Sequence, residues 1–392
     1  MKLSLTGSML WALAMAPGLA PALHAQFTSG STGSDGALSY TTAGTYTFDP
    51  QLLGLDPAGD NVFNFTTINI AAGVTLNMPA DVLRNRAVIW LAQGAVTIAG
   101  TINLAGANGA AMSSVNPGQT RYPAMPGPGG FPGGVGAYLT SPATNGDGFS
   151  GGTTTTNNGN QGGYGYNSNQ LVPLVGGSGG AGGQLGTGVA GGNGGAGGGA
   201  IRIVSTVSIT VSGIIYAQGG LGGFGVSNAY NGANGSGGAI HLVAPTITTN
   251  GLVDANNGSP TGVVRFSGTT LNIAGQVTVG FVSGPLYNPP LPSGVPQVKV
   301  TSVNGTNAPS DITGSALAPD FTISTPSAVT VAIAAQYVPV GTVVTLHLSS
   351  EQGNDATVTC PALAGTLASS TASCTGVTFP QGVTITDIKA VW

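Results

Sequence analysis

The sequence predicts an all-β chain: a right-handed parallel β-helix with long glycine-rich loops, followed by a small immunoglobulin-like β-sandwich. Three observations predict it. The stretches Gly191 to Gly223 (GGNGGAGGGAIRIVSTVSITVSGIIYAQGGLGG) and Gly235 to Gly258 (GSGGAIHLVAPTITTNGLVDANNG) repeat one plan: a glycine tract, then short strands parted by Gly or Asn-Gly corners, then another glycine tract. Alternation with period two, as in Ile68, Ile70, Val74, Leu76 and Met78, marks strands with one inward face. After residue 296 the glycine tracts stop, and ~5–7 alternating strands fill the last ~100 residues, as in a sandwich. A solenoid coil buries its inward side chains only against the coils above and below, so its stability is a sum of neighbour contributions.

Composition narrows the class. Gly and Pro number 68 and 25 of 392 residues, yet 41% of residues are hydrophobic and mean hydropathy is +0.28, which argues against simple disorder. Charged residues are only 5%, net charge is −4, and no basic stripe is present, so nucleic-acid binding is not expected. Residues 1–25 form an expected export signal: Lys2, a short apolar run from Met9 to Ala16, and cleavage after Ala25, with Ala22 as the alternative. That run is too short to span a bilayer, and no later stretch is long and apolar enough for a transmembrane helix. The expected location is therefore secreted, either extracellular or at the cell surface.

Residues 26–284 are assigned to the β-helix. Residues 26–64 cover the first coil, and Asp56 to Asn61 (DPAGDN) reads as a Pro-Gly turn with Asx capping in preference to a calcium loop. Residues 65–105 carry the first regular coils, with Asp81, Arg84 and Arg86 between them as a solvated cluster. Residues 106–199, rich in Gly, Asn and Pro, are expected to be a loop insertion on one edge of the stack. Its aromatics, Tyr122, Phe131, Tyr138, Phe149, Tyr164 and Tyr166, suit either stacking on sugar rings or pinning the loop to the solenoid wall.

Residues 200–280 hold the two repeats and a third, Val263 to Gly280. Aligning them puts Ile201, Ile240 and Val264 in one inward ladder, and Arg202, His241 and Arg265 in an outward column, with Trp90 at the matching place in the earlier coil. A basic and aromatic column suits an anionic polysaccharide. It is also what ordinary outward strand positions look like. Residues 285–296 read as a proline-rich linker, and 297–392 as the sandwich domain. Its cysteines, Cys360 and Cys374, are the only two in the chain and are expected to form a disulfide between neighbouring strands, contributing roughly 2–3 kcal/mol.

The chemistry-bearing residues are sparse. Asp254 is the one carboxylate in the late coils and Glu351 is the only glutamate. The G-x-S-x-G matches around Ser150 and Ser178 sit in glycine-rich sequence without a following helix, as do the G-x-G-x-x-G matches, so neither motif has its required context. No catalytic residue, metal site or cofactor is assigned. The coils GGAIRIVSTVSITVSGIIYAQGG and GGAIHLVAPTITTNGLVDANNGS resemble the glycine-rich parallel β-helix surface and adhesin-like proteins exported by bacteria. The run from Phe48 through FDPQLLGLDPAGDNVFNFTTINIAAGVTL to AVIWLAQGAVTIAGTINLAGANG is similar to a group of secreted soil-bacterial proteins with this layout. The resemblance implies a fold and an exported location, and carries over no site residue. The expected function is a non-enzymatic structural or adhesive surface protein with extracellular polysaccharide or matrix as partner; self-association through coil ends is a further expectation. The alternative is a carbohydrate-binding or polysaccharide-cleaving β-helix.

Overall fold

The structure, a computed structural model, describes residues 27–390 apart from 57–58, 113–120, 139, 155–168, 185–189, 227–229, 257–260, 292–295, 310–311, 313–318, 351–355 and 381. The expected leader lies outside the described residues, as do Tyr164 and Tyr166. Among the described residues every regular element is a strand.

Among the described residues the solenoid has six coils, each contributing one strand to each of three parallel sheets. The first sheet stacks β1 (Leu38–Tyr40), β4 (Ile68–Ile70), β7 (Val96–Ile98), β10 (Ser208–Val211), β13 (Thr246–Thr249) and β16 (Thr270–Ile273). The second stacks β2 (Gly44–Thr47), β5 (Val74–Asn77), β8 (Thr101–Asn103), β11 (Ile214–Tyr216), β14 (Leu252–Asp254) and β17 (Gln276–Val277). The third stacks β3 (Val62–Phe65), β6 (Val88–Ala92), β9 (Ala200–Ser205), β12 (Ala239–Val243), β15 (Val263–Ser267) and β18 (Phe281–Gly284). Register is direct: Ile68, Val96, Ile209, Ile247 and Leu271 lie over one another, as do Leu76, Ile102, Ile215, Val253 and Val277. Ile201, Ile240 and Val264 form the expected ladder, each fully buried. Corners between the first two sheets need glycine for close approach: a Cβ on Gly213 would overlap the Gly100 carbonyl oxygen, and one on Gly251 that of Gly213.

The glycine-rich segments form a packed slab instead of a projecting loop. The chain leaves the solenoid after β8 and again after β11, at the same corner, and returns through β9 and β12. In segment 190–200, the amides of Asn193, Gly194 and Gly195 donate to three different neighbours, the carbonyls of Ala110, Gly134 and Ala233. Three residues on, Ala196, Gly197 and Gly198 repeat the pattern with Ala107, Phe131 and Ser236. Its carbonyls accept in turn: Gly195 from Gly180, Ala196 from Gly220. A repeat of about 3 residues with no internal bonds is the polyproline II helix. Water normally solvates the backbone of such a helix. Here the buried amides and carbonyls must find protein partners, and the neighbouring helices supply them. Glycine is obligatory where helices touch, much as at the axis of collagen. Strand periodicity cannot reveal such a structure, because it has no inward-outward alternation of apolar side chains.

The proline-rich segment after β18 is not a free spacer in its described part. It packs on the outer face of the third sheet, where Leu286 joins Ile89, Leu91, Val204 and Val243, with Phe27 and Leu174 beside them. This explains why β6, β9 and β12 are buried on both faces.

The C-terminal region has two antiparallel sheets around one apolar core. One holds β19 (Gln297–Val303), β20 (Thr306–Asn307), β21 (Val329–Gln336), β24 (Ala364–Thr366) and β25 (Ser369–Val377). The other holds β22 (Val343–Ser350), β23 (Ala356–Ala362) and β26 (Thr384–Ala390). Along β21, Val329, Val331, Ile333 and Ala335 face inward. Cys360 and Cys374 form the expected disulfide, with Cα atoms 4.7 Å apart. It joins β23 to β25, and so bridges the two sheets instead of linking neighbours within one.

Candidate functional site

The basic column exists in register but is covered. His241 pairs with Arg202 on one side and Arg265 on the other. Arg202 is 2% exposed, His241 is fully buried, and Arg265 is half-buried. Arg202 donates from Nη1 to the Pro289 carbonyl at 3.1 Å and from Nη2 to the Leu171 carbonyl at 3.5 Å. Arg265 Nη1 reaches the Asn169 carbonyl at 2.7 Å. Burial, with Arg202 and Arg265 adding to it, pushes the His241 imidazole down to about 3; burial lowers Arg202 to about 10, opposed by Tyr287. An extended polysaccharide has no access to Arg202 or His241 beneath the 285–290 strap and residues 169–174.

Trp90 is not part of this column. It pairs with Phe63 and Ile203, so it points inward, and Ile89 occupies the place beside Arg202. Its ring is fully buried and meets Phe48 and Phe65 edge-on at centroid distances of 5.3 and 6.0 Å. The run AVIWLA is apolar at every position, so periodicity cannot set its phase; packing against the inward rings of Phe48, Phe63 and Phe65 decides it.

The open face of the first sheet carries a different array. Ser39, Asn69, Thr97, Thr210, Thr248 and Asn272 form one outward column in register. Ser208, Thr246 and Thr270 start a second, two residues earlier on each strand. Coils lie about 4.8 Å apart, and alternate residues about 6.7 Å apart along a strand, so the hydroxyls and amides form a grid. These two columns hold no charged and no aromatic side chain, and Ser39, Thr97, Thr270 and Asn272 are exposed. Threonine is β-branched and stiff at χ1, which fixes its hydroxyl and methyl in place. The signal for this face was present in the sequence as S-I-T, T-I-T and T-L-N. Ordinary strand polarity masked it.

The slab has its own outer edge. Leu221 and Phe224, three residues apart on one polyproline II helix, are 50% and 59% exposed. Outward amides of that helix are satisfied by side chains: Leu221 by Asn108 Oδ1 at 2.8 Å, Gly222 by Asn234 Oδ1 at 2.9 Å. Of the loop aromatics, Tyr138 is buried with the Arg121 guanidinium 4.3 Å above its ring, and Phe149 is exposed and meets Phe131 edge-on at 5.8 Å. Ser178 is buried and its amide donates to Ser236 Oγ at 2.8 Å, a structural place within the slab.

The carboxylates are held by neighbours. Asp254 accepts from Gln218 Nε2 at 2.6 Å and from Thr278 Oγ1. Asp56 accepts from the Asp60 and Asn61 amides at 3.0 Å and pairs with Arg84 at 3.3 Å, so its carboxylate caps these amides and is tied to the charged segment after β5; Pro57 and Ala58 of the expected turn lie outside the described residues. Arg84 therefore reaches Asp56 across the coil. Where the C-terminal sheets meet the slab, Lys389 pairs with Asp147 at 3.0 Å. Beside them, burial first and then Asp147 push the Asp387 carboxyl up to about 7, with Lys389 opposing.

A folded pKa above the unfolded value of about 3.9 means the native state keeps a proton that the unfolded chain loses. Stability is therefore expected to fall as pH rises from about 4 to 7, by at most about 1.4 kcal/mol per pH unit, and then level off. Asp387→Asn should flatten that slope in thermal melts across the range; an unchanged slope would assign it to other groups.

Among the described residues, no group of three or more His, Cys, Asp or Glu is placed to hold a metal ion, and no helix is long and apolar enough to cross a membrane. Comparison of the chain with protein-family profiles, with curated proteins and with solved structures returns no match.

Proposed function

We propose that the chain is an exported, non-enzymatic adhesive or structural surface protein, with the β-helix as shaft and the open face of the first sheet as its contact surface. The observation that carries this reading is the in-register grid of uncharged hydroxyl and amide side chains running from Ser39 to Asn272. A rigid grid loses little conformational entropy on contact, since its side chains are short and its backbone is fixed in a parallel ladder. Several of the few charged groups in the solenoid serve internal contacts: Arg84 with Asp56, Arg202 with backbone carbonyls, Asp254 with Gln218 and Thr278.

The second reading, carbohydrate binding, is favoured by the same face, and it changes the ligand expected. With Arg202 and His241 covered, the accessible grid suits a neutral glycan, not an acidic one. The test has two parts. Protease treatment of intact cells should release the protein if it is surface-held; protein found only in the medium counts against the adhesive role. In pull-downs with insoluble polysaccharides and matrix, Thr210→Lys with Thr248→Lys is expected to weaken binding at least tenfold while leaving the melting temperature within a few degrees. Binding that survives both changes removes the grid as the contact surface.

A further inference from the structure

The outer face of the third sheet holds two guanidinium groups and an imidazole on neighbouring strands, with no negative charge beside them. Arg202, His241 and Arg265 are direct partners in the ladder. The acceptors that Arg202 finds, the Pro289 and Leu171 carbonyls, are neutral. Its Nε–H, though buried, has no acceptor among the described residues. The covering segments bring no carboxylate: the sequence has no Asp or Glu from 148 to 253 or from 255 to 310. Asp254, between those spans, lies on the second sheet and is bonded to Gln218 and Thr278.

His241 adds a second orphan donor. Its Nε2 lies 3.0 Å from Ser267 Oγ, and that same oxygen accepts from Arg265 Nε at 3.2 Å. Among the described residues Ser267 has no other acceptor for its own hydroxyl proton, so the hydroxyl accepts from Arg265 and donates to Nε2. The ring proton of the neutral imidazole then sits on Nδ1, which is buried and has no partner. Two orphan donors thus stand on adjacent strands, about 4.8 Å apart at the backbone. Buried donors without acceptors are costly, and a buried cation without a counter-charge is more so. A water molecule could accept from both donors, but it would leave the positive charge uncompensated.

We infer that the column encloses a small halide-sized anion, chloride in chloride-containing media, bound between Arg202 Nε–H and His241 Nδ1–H and flanked by the Arg265 guanidinium. One monatomic anion suits the place. It accepts from any direction and would lie beside the two unpartnered donors, where the Leu171 and Pro289 carbonyls cover Arg202. The site ties the 285–290 strap and residues 169–174 to the sheet through the arginines they cover. The inference is independent of the adhesive reading, since it concerns a covered site.

The test is a bromide replacement in crystals of the mature protein. An anomalous difference map at the bromine edge is expected to show a peak beside Arg202 and His241. In parallel, thermal melts at constant ionic strength are expected to give a higher melting temperature in chloride than in gluconate, whose anion is too large to enter, because an anion held only by the native state stabilises it. Arg202→Met should abolish that difference. If Arg202→Met does not fold, Arg265→Gln, at the half-buried end, is expected to reduce it. A map with no bromine signal at the column overturns the assignment whatever the melts show, and a water there is the answer instead.

Discussion

Gly197→Ala is expected to cost about 3 kcal/mol or more and to lower the melting temperature sharply, although it adds a single methyl group. A Cβ at this position would overlap the Gly177 carbonyl oxygen on the neighbouring polyproline II helix. The clash is with backbone on a segment that is itself bonded to its neighbours, through Gly177 N to the Gly198 carbonyl at 2.7 Å, so no rotamer change relieves it. Gly280→Ala is the control. A Cβ there meets nothing within 4 Å, and the change is expected to be neutral or stabilising by up to about 1 kcal/mol, because it reduces the freedom of the unfolded chain. Thermal unfolding of both variants decides the matter. If Gly197→Ala melts with the parent protein, segment 190–200 is not packed as a slab.

Trp90→Ala is the second large effect, expected at about 3–5 kcal/mol. The indole fills the first coils between Phe48, Phe63 and Phe65. Its removal leaves a cavity that the ladder, fixed at Phe63 and Ile203 on either side, cannot collapse to fill. Trp90→Phe should cost less than about 1.5 kcal/mol, since it keeps a ring and removes an indole N–H that is buried without a partner. The denaturation midpoint of Trp90→Ala checks this, and a near-neutral variant would show that the indole does not fill the first coils.

Most of the solenoid was legible in the residue string. Ile201, Ile240 and Val264 could be stacked from their spacing alone because each is followed by a polar residue and then another apolar one. Trp90 could not, because Val88 to Ala92 is apolar throughout and both phases fit the pattern. The basic column was legible as a register, and its accessibility was not. Whether Arg202 faces water depends on Pro289 and Leu171, which are 87 and 31 residues away in the chain. The grid on the first sheet was written in the sequence as Thr, Ser and Asn at alternate positions, but became a surface only once six coils were in line.

The chain's composition and its period of two determined by themselves that parallel strands would stack and that a separate antiparallel domain would follow, because burying alternate side chains is a local requirement that each strand states for itself. Tertiary structure alone decided that the glycine tracts would be a hydrogen-bonded slab. A glycine has no side chain with which to declare a buried side, so its order comes entirely from amides and carbonyls meeting those of helices brought alongside from elsewhere in the chain, as Gly195 meets Ala233 and Gly180.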